Sequence, residues 1–198
     1  DLMQIIQNQL SDSVMNQLSN QIGGDKEQTS AATQGVLNTL IGAMAKNASS
    51  QEGASSLFNA LNKDHDGSLL DSITDFMNPE APNPVDEKAT NGMGILQHLL
   101  GDKMGMISQL IGQQNGISQE GALGLMAKLA PIIMATLGKQ QQSTDGFQIS
   151  DLMGLLTNQK ENIQKQPEQK GFLDMLDFDG DGSGVDDAMG LLSKFFGK

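Results

Sequence analysis

Aspartate recurs at alternate positions twice in this chain, each time followed by Gly-Ser. Near the C-terminus the run is Asp177-Phe178-Asp179-Gly180-Asp181-Gly182-Ser183-Gly184-Val185-Asp186-Asp187, and an earlier copy reads Asn62-Lys63-Asp64-His65-Asp66-Gly67-Ser68-Leu69-Leu70-Asp71. Hard oxygen donors on every second residue face one side of a tightly curled loop, and glycine supplies the left-handed backbone that turns the chain back. Both runs therefore open like a calcium loop. Counting Asp177 as the first position of an EF-hand puts Asp179, Asp181, the turning Gly182 and the Ser183 carbonyl where that loop needs them. The departure comes at the end, where Ala188 in one copy and Ile73 in the other replace the bidentate Glu. Both copies instead carry an Asp two residues earlier, Asp186 and Asp71, with Asp187 beside the former. A departure shared by both copies points to a shorter loop closed by that Asp.

The expected Ca²⁺ ligands are therefore Asp177, Asp179, Asp181, the Ser183 carbonyl and Asp186, with a second ion at Asn62, Asp64, Asp66, Ser68 and Asp71. Asn62 removes one charge from the earlier loop, and Lys63 and His65 are expected to point away from the ion. Without the bidentate Glu the affinity falls towards the ~10⁻⁴ to 10⁻³ M of extracellular modules. The plainer alternative is that Asp-Gly-Ser is a common turn whose carboxylates cap the helix that follows.

Other chemistries lack their residues. His65 and His98 are the two histidines and there is no Cys, too few for the ligand sets of catalytic zinc. No Ser lies in a G-x-S-x-G turn, and no phosphate-cradling glycine loop is present. The carboxylates of the acidic runs cannot hold Ca²⁺ and also act as a free acid–base pair, so no enzymatic activity is expected. All twelve basic residues are Lys, set against 24 acidic ones for a net charge of −12. That balance repels phosphate backbones and lacks the bidentate guanidinium, which excludes nucleic acid as a partner.

The elements that must position the acidic runs are helical throughout. Apolar residues at three- and four-residue steps from Leu2 to Ile22 predict one long helix ending at Gly23-Gly24, and a second helix capped by Asp25 or Thr29 runs to Lys46-Asn47. A shorter helix through Leu57, Phe58 and Leu61 enters the first acidic run, and Leu69 to Met77 leave it. After a Pro-rich linker come short helices around Leu96 and Ile107, then a long apolar helix capped by Ser118. Its run from Ala122 to Leu137 contains Lys128 and Pro131 and is shorter than a bilayer span, so a buried core helix is expected. A connector at 140–146 and a short helix through Leu152 to Leu156 precede a polar stretch and the last acidic run.

Leu37 to Lys46 lie without gaps on Ala130 to Lys139, and Leu61 to Ile73 on Leu176 to Ala188, in the same order. The expected architecture is all-α, with two related halves that are a diverged internal repeat. The first spans residues 1–78 with its loop at 62–73, the linker 79–93, and the second 94–198 with its loop at 177–188. The segments Ile95-Leu-Gln-His-Leu-Leu-Gly101 and Lys128-Leu-Ala-Pro-Ile-Ile-Met134, with the Asp-Gly-Ser loops, resemble the YidB-like bacterial proteins of unknown function. The resemblance covers most of the chain and implies a bacterial, all-helical protein without established activity.

A non-enzymatic calcium-binding structural or interaction protein that self-associates through helix faces is the expectation. Its competitor is a calcium-responsive regulator that opens a groove rich in the chain's twelve Met to a partner helix. Weak calcium sites favour an exported protein over a cytoplasmic one. The sequence opens at Asp1 without an initiator Met, which is expected of a processed product or of a fragment alike.

Overall fold

The computed structural model describes residues 2–82 and 86–165, and every regular element among them is helical. The second acidic run, with Asp177, Asp179, Asp181, Ser183 and Asp186, lies outside the described residues.

The single helix expected from Leu2 to Ile22 is two helices, α1 (Leu2–Gln9) and α2 (Asp12–Ile22). Ser11 divides them: its hydroxyl accepts from the Val14 N–H at 3.4 Å and starts a new helix. The apolar spacing runs on across the break because Leu2, Ile6, Val14 and Leu18 all enter one core. Helix α3 (Lys26–Asn47) begins in a reciprocal cap, with Gln28 N–H donating to Asp25 at 2.8 Å and the Gln28 side chain accepting from Asp25 N–H at 3.0 Å. Next come α4 (Gln51–Lys63), α5 (Ser68–Asp71) and α6 (Ile73–Met77). A one-turn helix, α7 (Glu87–Thr90), lies within the expected linker.

Helices α8 (Gly92–Leu100) and α9 (Met104–Asn115) are joined by a 3₁₀ turn. Helix α10 (Gln119–Ser143) is capped by Ser118, which accepts from Gly121 N–H at 2.9 Å, and α11 (Ile149–Gln164) closes the described chain. Helix α11 extends well into the stretch expected to be polar connector. Gln159 and Ile163 are buried in continuation of Leu152 and Leu156, so one helical stripe persists through a polar composition.

Apolar side chains from both sides of the Pro-rich stretch share one core, and α10 lies at its centre against α2, α3, α4, α5, α8 and α9. It is long and apolar enough to cross a bilayer by length and composition, and here every residue from Leu129 to Gly138 is buried among other helices. Each fully buried Leu or Ile contributes ~1.5–3 kcal/mol, so Leu125, Leu129, Ile132, Ile133 and Leu137 make this helix a strong contributor to cohesion. Pro131 sits inside it. Having no N–H, it leaves the Ala127 carbonyl without its usual helical partner, and Gly92 brings its bare Cα against that oxygen, where a Cβ would overlap it.

Gly23 and Gly116 end α2 and α9 with φ of 71° and 68°, and Asp25 and Ser118 cap α3 and α10. Val14 with Ile107, Leu18 with Ile111, Val36 with Leu129 and Leu40 with Ile133 are buried pairs. All of these pairs stand the same number of residues apart in the chain.

Candidate metal loop and the cavity beside it

Helix α4 ends where Asp64 takes the C-cap, its N–H returning to the Ala60 carbonyl at 2.9 Å. The chain then reverses at Gly67, whose φ of 95° is a conformation that a residue with a Cβ rarely adopts. Asp66 Oδ1 accepts from Ser68 N–H at 3.0 Å and starts α5. Hydrogen bonds from the Ser68 hydroxyl and N–H hold the Asp66 carboxyl below its usual range. One turn later Asp71 Oδ1 lies 3.4 Å from Lys139 Nζ of α10.

The inner side of this loop is packed against α10 with no room to spare. A Cβ at Gly138 would overlap the His65 carbonyl oxygen, and one at Gly67 would stand 2.7 Å from Lys139 Cβ. Its outer side carries the polar groups: Asn62, Asp66, Ser68 and Asp71 are exposed, and Asp64 is half-buried. Among the described residues no three His, Asp or Glu side chains form a group that could hold a metal ion. Asp66 accepts from the Ser68 backbone in the turn before α5, and Asp71 is an ion-pair partner.

His65 is turned away from the acidic side and is 6% exposed. It lines a cavity of about 390 Å³ between α4 and α8, together with His98, Asp64 and Lys88 on the polar side and Leu57, Ile95 and Met134 on the apolar side. Burial pushes the His65 imidazole below its ordinary range, while Asp64 and Asp66 oppose the shift. Its Nδ1 is buried without a hydrogen-bond partner among the described residues. Both histidines of the chain thus face one cavity. Nothing in their spacing announces this, because the packing of α4 beside α8 brings them together.

Residues 4–140 match the family model of bacterial proteins of unknown function DUF937. The chain belongs to that family. No curated protein and no solved structure matches the chain. The DUF937 span takes in the first acidic loop, the cavity and most of α10, and stops before α11 and the second acidic run.

Also within the DUF937 span, two side chains hold the end of α6. Lys128 Nζ donates to the Phe76 carbonyl at 3.0 Å and lies 4.6 Å over the Phe76 ring. The Gln21 amide donates to the Met77 carbonyl. Partial burial lowers the Lys128 ammonium from its ordinary 10.5. The segment that leaves the acidic loop is thereby fixed to α2 and α10 together.

Proposed function

We propose that this chain is a non-enzymatic calcium-binding structural protein that associates with itself, built from two copies of one helical unit in the manner of YidB-like proteins. The observation that carries the reading is the interlock between the first acidic loop and α10, in which Gly138 admits the His65 carbonyl. A loop whose inner side is fixed to the central helix and whose outer side carries carboxylates is placed to convert ion binding into helix rigidity. The run Asp177, Asp179, Asp181, Ser183 and Asp186 has the fuller ligand set. Asn62, Asp64, Asp66, Ser68 and Asp71 make the weaker site, since one charge is missing and two carboxylates already serve protein groups.

The equal spacing of caps, αL glycines and buried pairs in α1–α3 and α8–α10 supports the two-copy architecture. Exposed Ile5, Met93 and Met106 supply apolar contact for a second copy. A net charge of −12 opposes that contact, so Ca²⁺ neutralising the loops favours assembly. Exposed Met93 and Met106 also suit the regulator that captures a partner helix, but Met3, Met44, Met77, Met126 and Met134 are core filler, which favours the structural reading.

Light scattering with and without millimolar Ca²⁺, paired with calorimetry, tests this. Heat of binding with growth in mass is expected. A monomer that binds Ca²⁺ and only gains exposed apolar surface supports the regulator, and no heat at millimolar Ca²⁺ removes the calcium reading.

A further inference from the structure

We propose that the cavity beside the first acidic loop binds a free α-amino acid with an apolar side chain, its ammonium on Asp64 and its carboxylate on Lys88 and His65. The inference goes beyond the calcium reading and does not depend on it. The cavity lies between the ends of two helices, and its walls carry opposite charge. On one side is the C-terminus of α4, where the unpaired carbonyl dipoles add to the Asp64 carboxylate at the C-cap. On the other, α7 supplies Lys88 and the first turn of α8 supplies Asn91 and Gly94, so an ammonium stands beside a helix N-terminus. Asp64 and Lys88 line the same cavity, yet neither makes an ion pair among the described residues. A ligand with both charges matches both walls, whereas an anion alone faces Asp64 and a cation alone faces Lys88.

His65 points to a ligand independently. It is 6% exposed, and its ring makes no hydrogen bond among the described residues. Nδ1 is shut away without a partner, which leaves Nε2 as the ring nitrogen that the cavity can reach. A bare acceptor is buried at less cost than an N–H, so the proton belongs on Nε2, where it donates to a carboxylate. Between the charged walls the surface is apolar, with Leu57 of α4, Ile95 and Leu99 of α8 and Met134 of α10. At about 390 Å³ the cavity lies near the lower end of small-molecule sites, which run from ~300 to ~1,000 Å³. That space suits an amino acid with a leucine- or methionine-sized side chain.

Calorimetry on the full chain tests this in EDTA, which keeps Asp64 out of any calcium site. The ligands are L-leucine and L-methionine, beside N-acetyl-leucine, leucinamide and octanoate. The free amino acids are expected to bind and to raise the melting temperature, with each singly charged analogue weaker by roughly tenfold or more, because it leaves one charged wall unmatched. Leucinamide also stands in for the N-terminus of a peptide, so its binding as tightly as leucine overturns the proposal in favour of a peptide end. Equal binding of N-acetyl-leucine or octanoate overturns it in favour of a simple acid, and no heat with any of the five overturns it outright. Two variants then assign the walls. Asp64→Asn should close the gap between leucine and N-acetyl-leucine while keeping the gap to leucinamide, and Lys88→Met should do the reverse. Affinities unchanged in both variants overturn the placement. The analogue series is run on the unmodified chain, so it decides the matter even if a variant melts early.

Discussion

The carbonyl oxygen of His65 occupies the space that a Cβ at Gly138 would fill, so the first acidic loop and the central helix meet backbone to backbone. A side chain swings aside at little cost, but two backbones in contact move only if the loop or the helix moves. Gly138→Ala is therefore expected to destabilise by roughly 1–3 kcal/mol, as overpacking does, although alanine is the better helix former. Gly124→Ala on the same helix meets nothing within 4 Å and should stabilise by up to ~1 kcal/mol. Denaturant titrations of both variants check this. Equal shifts of the same sign would mean that propensity alone governs residue 138.

Much of this fold is legible in the sequence where a local rule and the global packing agree. Asp25 and Ser118 cap the helices that their side chains predict, and the apolar run around Pro131 is buried as expected. The break at Ser11 is hidden because both short helices feed one core and keep one apolar spacing. The extension of α11 is hidden for the opposite reason, since the buried Gln159 interrupts the apolar stripe. For the site, the turn at Gly67 and the Asp66 hydrogen bond to Ser68 N–H follow from Asp-Gly-Ser. The meeting of His65 and His98 and the demand for glycine at position 138 arise only from tertiary packing.

Asp66 separates the two roles of its loop. Asp66→Ala removes the acceptor for Ser68 N–H and should cost ~0.5–1.5 kcal/mol without any metal, whereas Asp66→Asn keeps an acceptor and should cost less. If the loop also binds Ca²⁺, the Asn variant gains less melting temperature than the unmodified chain on adding millimolar Ca²⁺. An equal gain in both would leave Asp66 as a turn acceptor alone.

Lys128 gives a pH signature. Partial burial lowers its folded-state pKa, so between that value and 10.5 the unfolded chain holds a proton that the folded chain has released. The charged form is the one penalised on folding, hence this group's contribution to stability rises with pH through the window and is flat below it. Unfolding midpoints measured from about pH 8 to the ordinary lysine value should rise less steeply in Lys128→Met than in the unmodified chain. Parallel curves would mean that another group carries the dependence.

The DUF937 match ends at residue 140, but the packed core does not. Helix α11 lies against α3 and α4, with Leu152, Leu156 and Ile163 buried, and its entry is fixed by Phe147, whose ring stacks on Phe58 of α4 at 6.4 Å between centroids and 7° between planes. Such a pair contributes ~0.5–1.5 kcal/mol beyond the area it buries, and it joins two helices far apart in sequence. A chain ended at Gln140 would uncover the side of α3 on which α11 packs and lose the last turn of α10, so it should bind a hydrophobic dye and aggregate. Phe147→Ala is the milder version. It should leave the rest of the core cooperative while amide exchange in α11 quickens, because opening that helix no longer breaks the aromatic contact. Unchanged exchange in α11 would show that Leu152, Leu156 and Ile163 hold the helix without the stack.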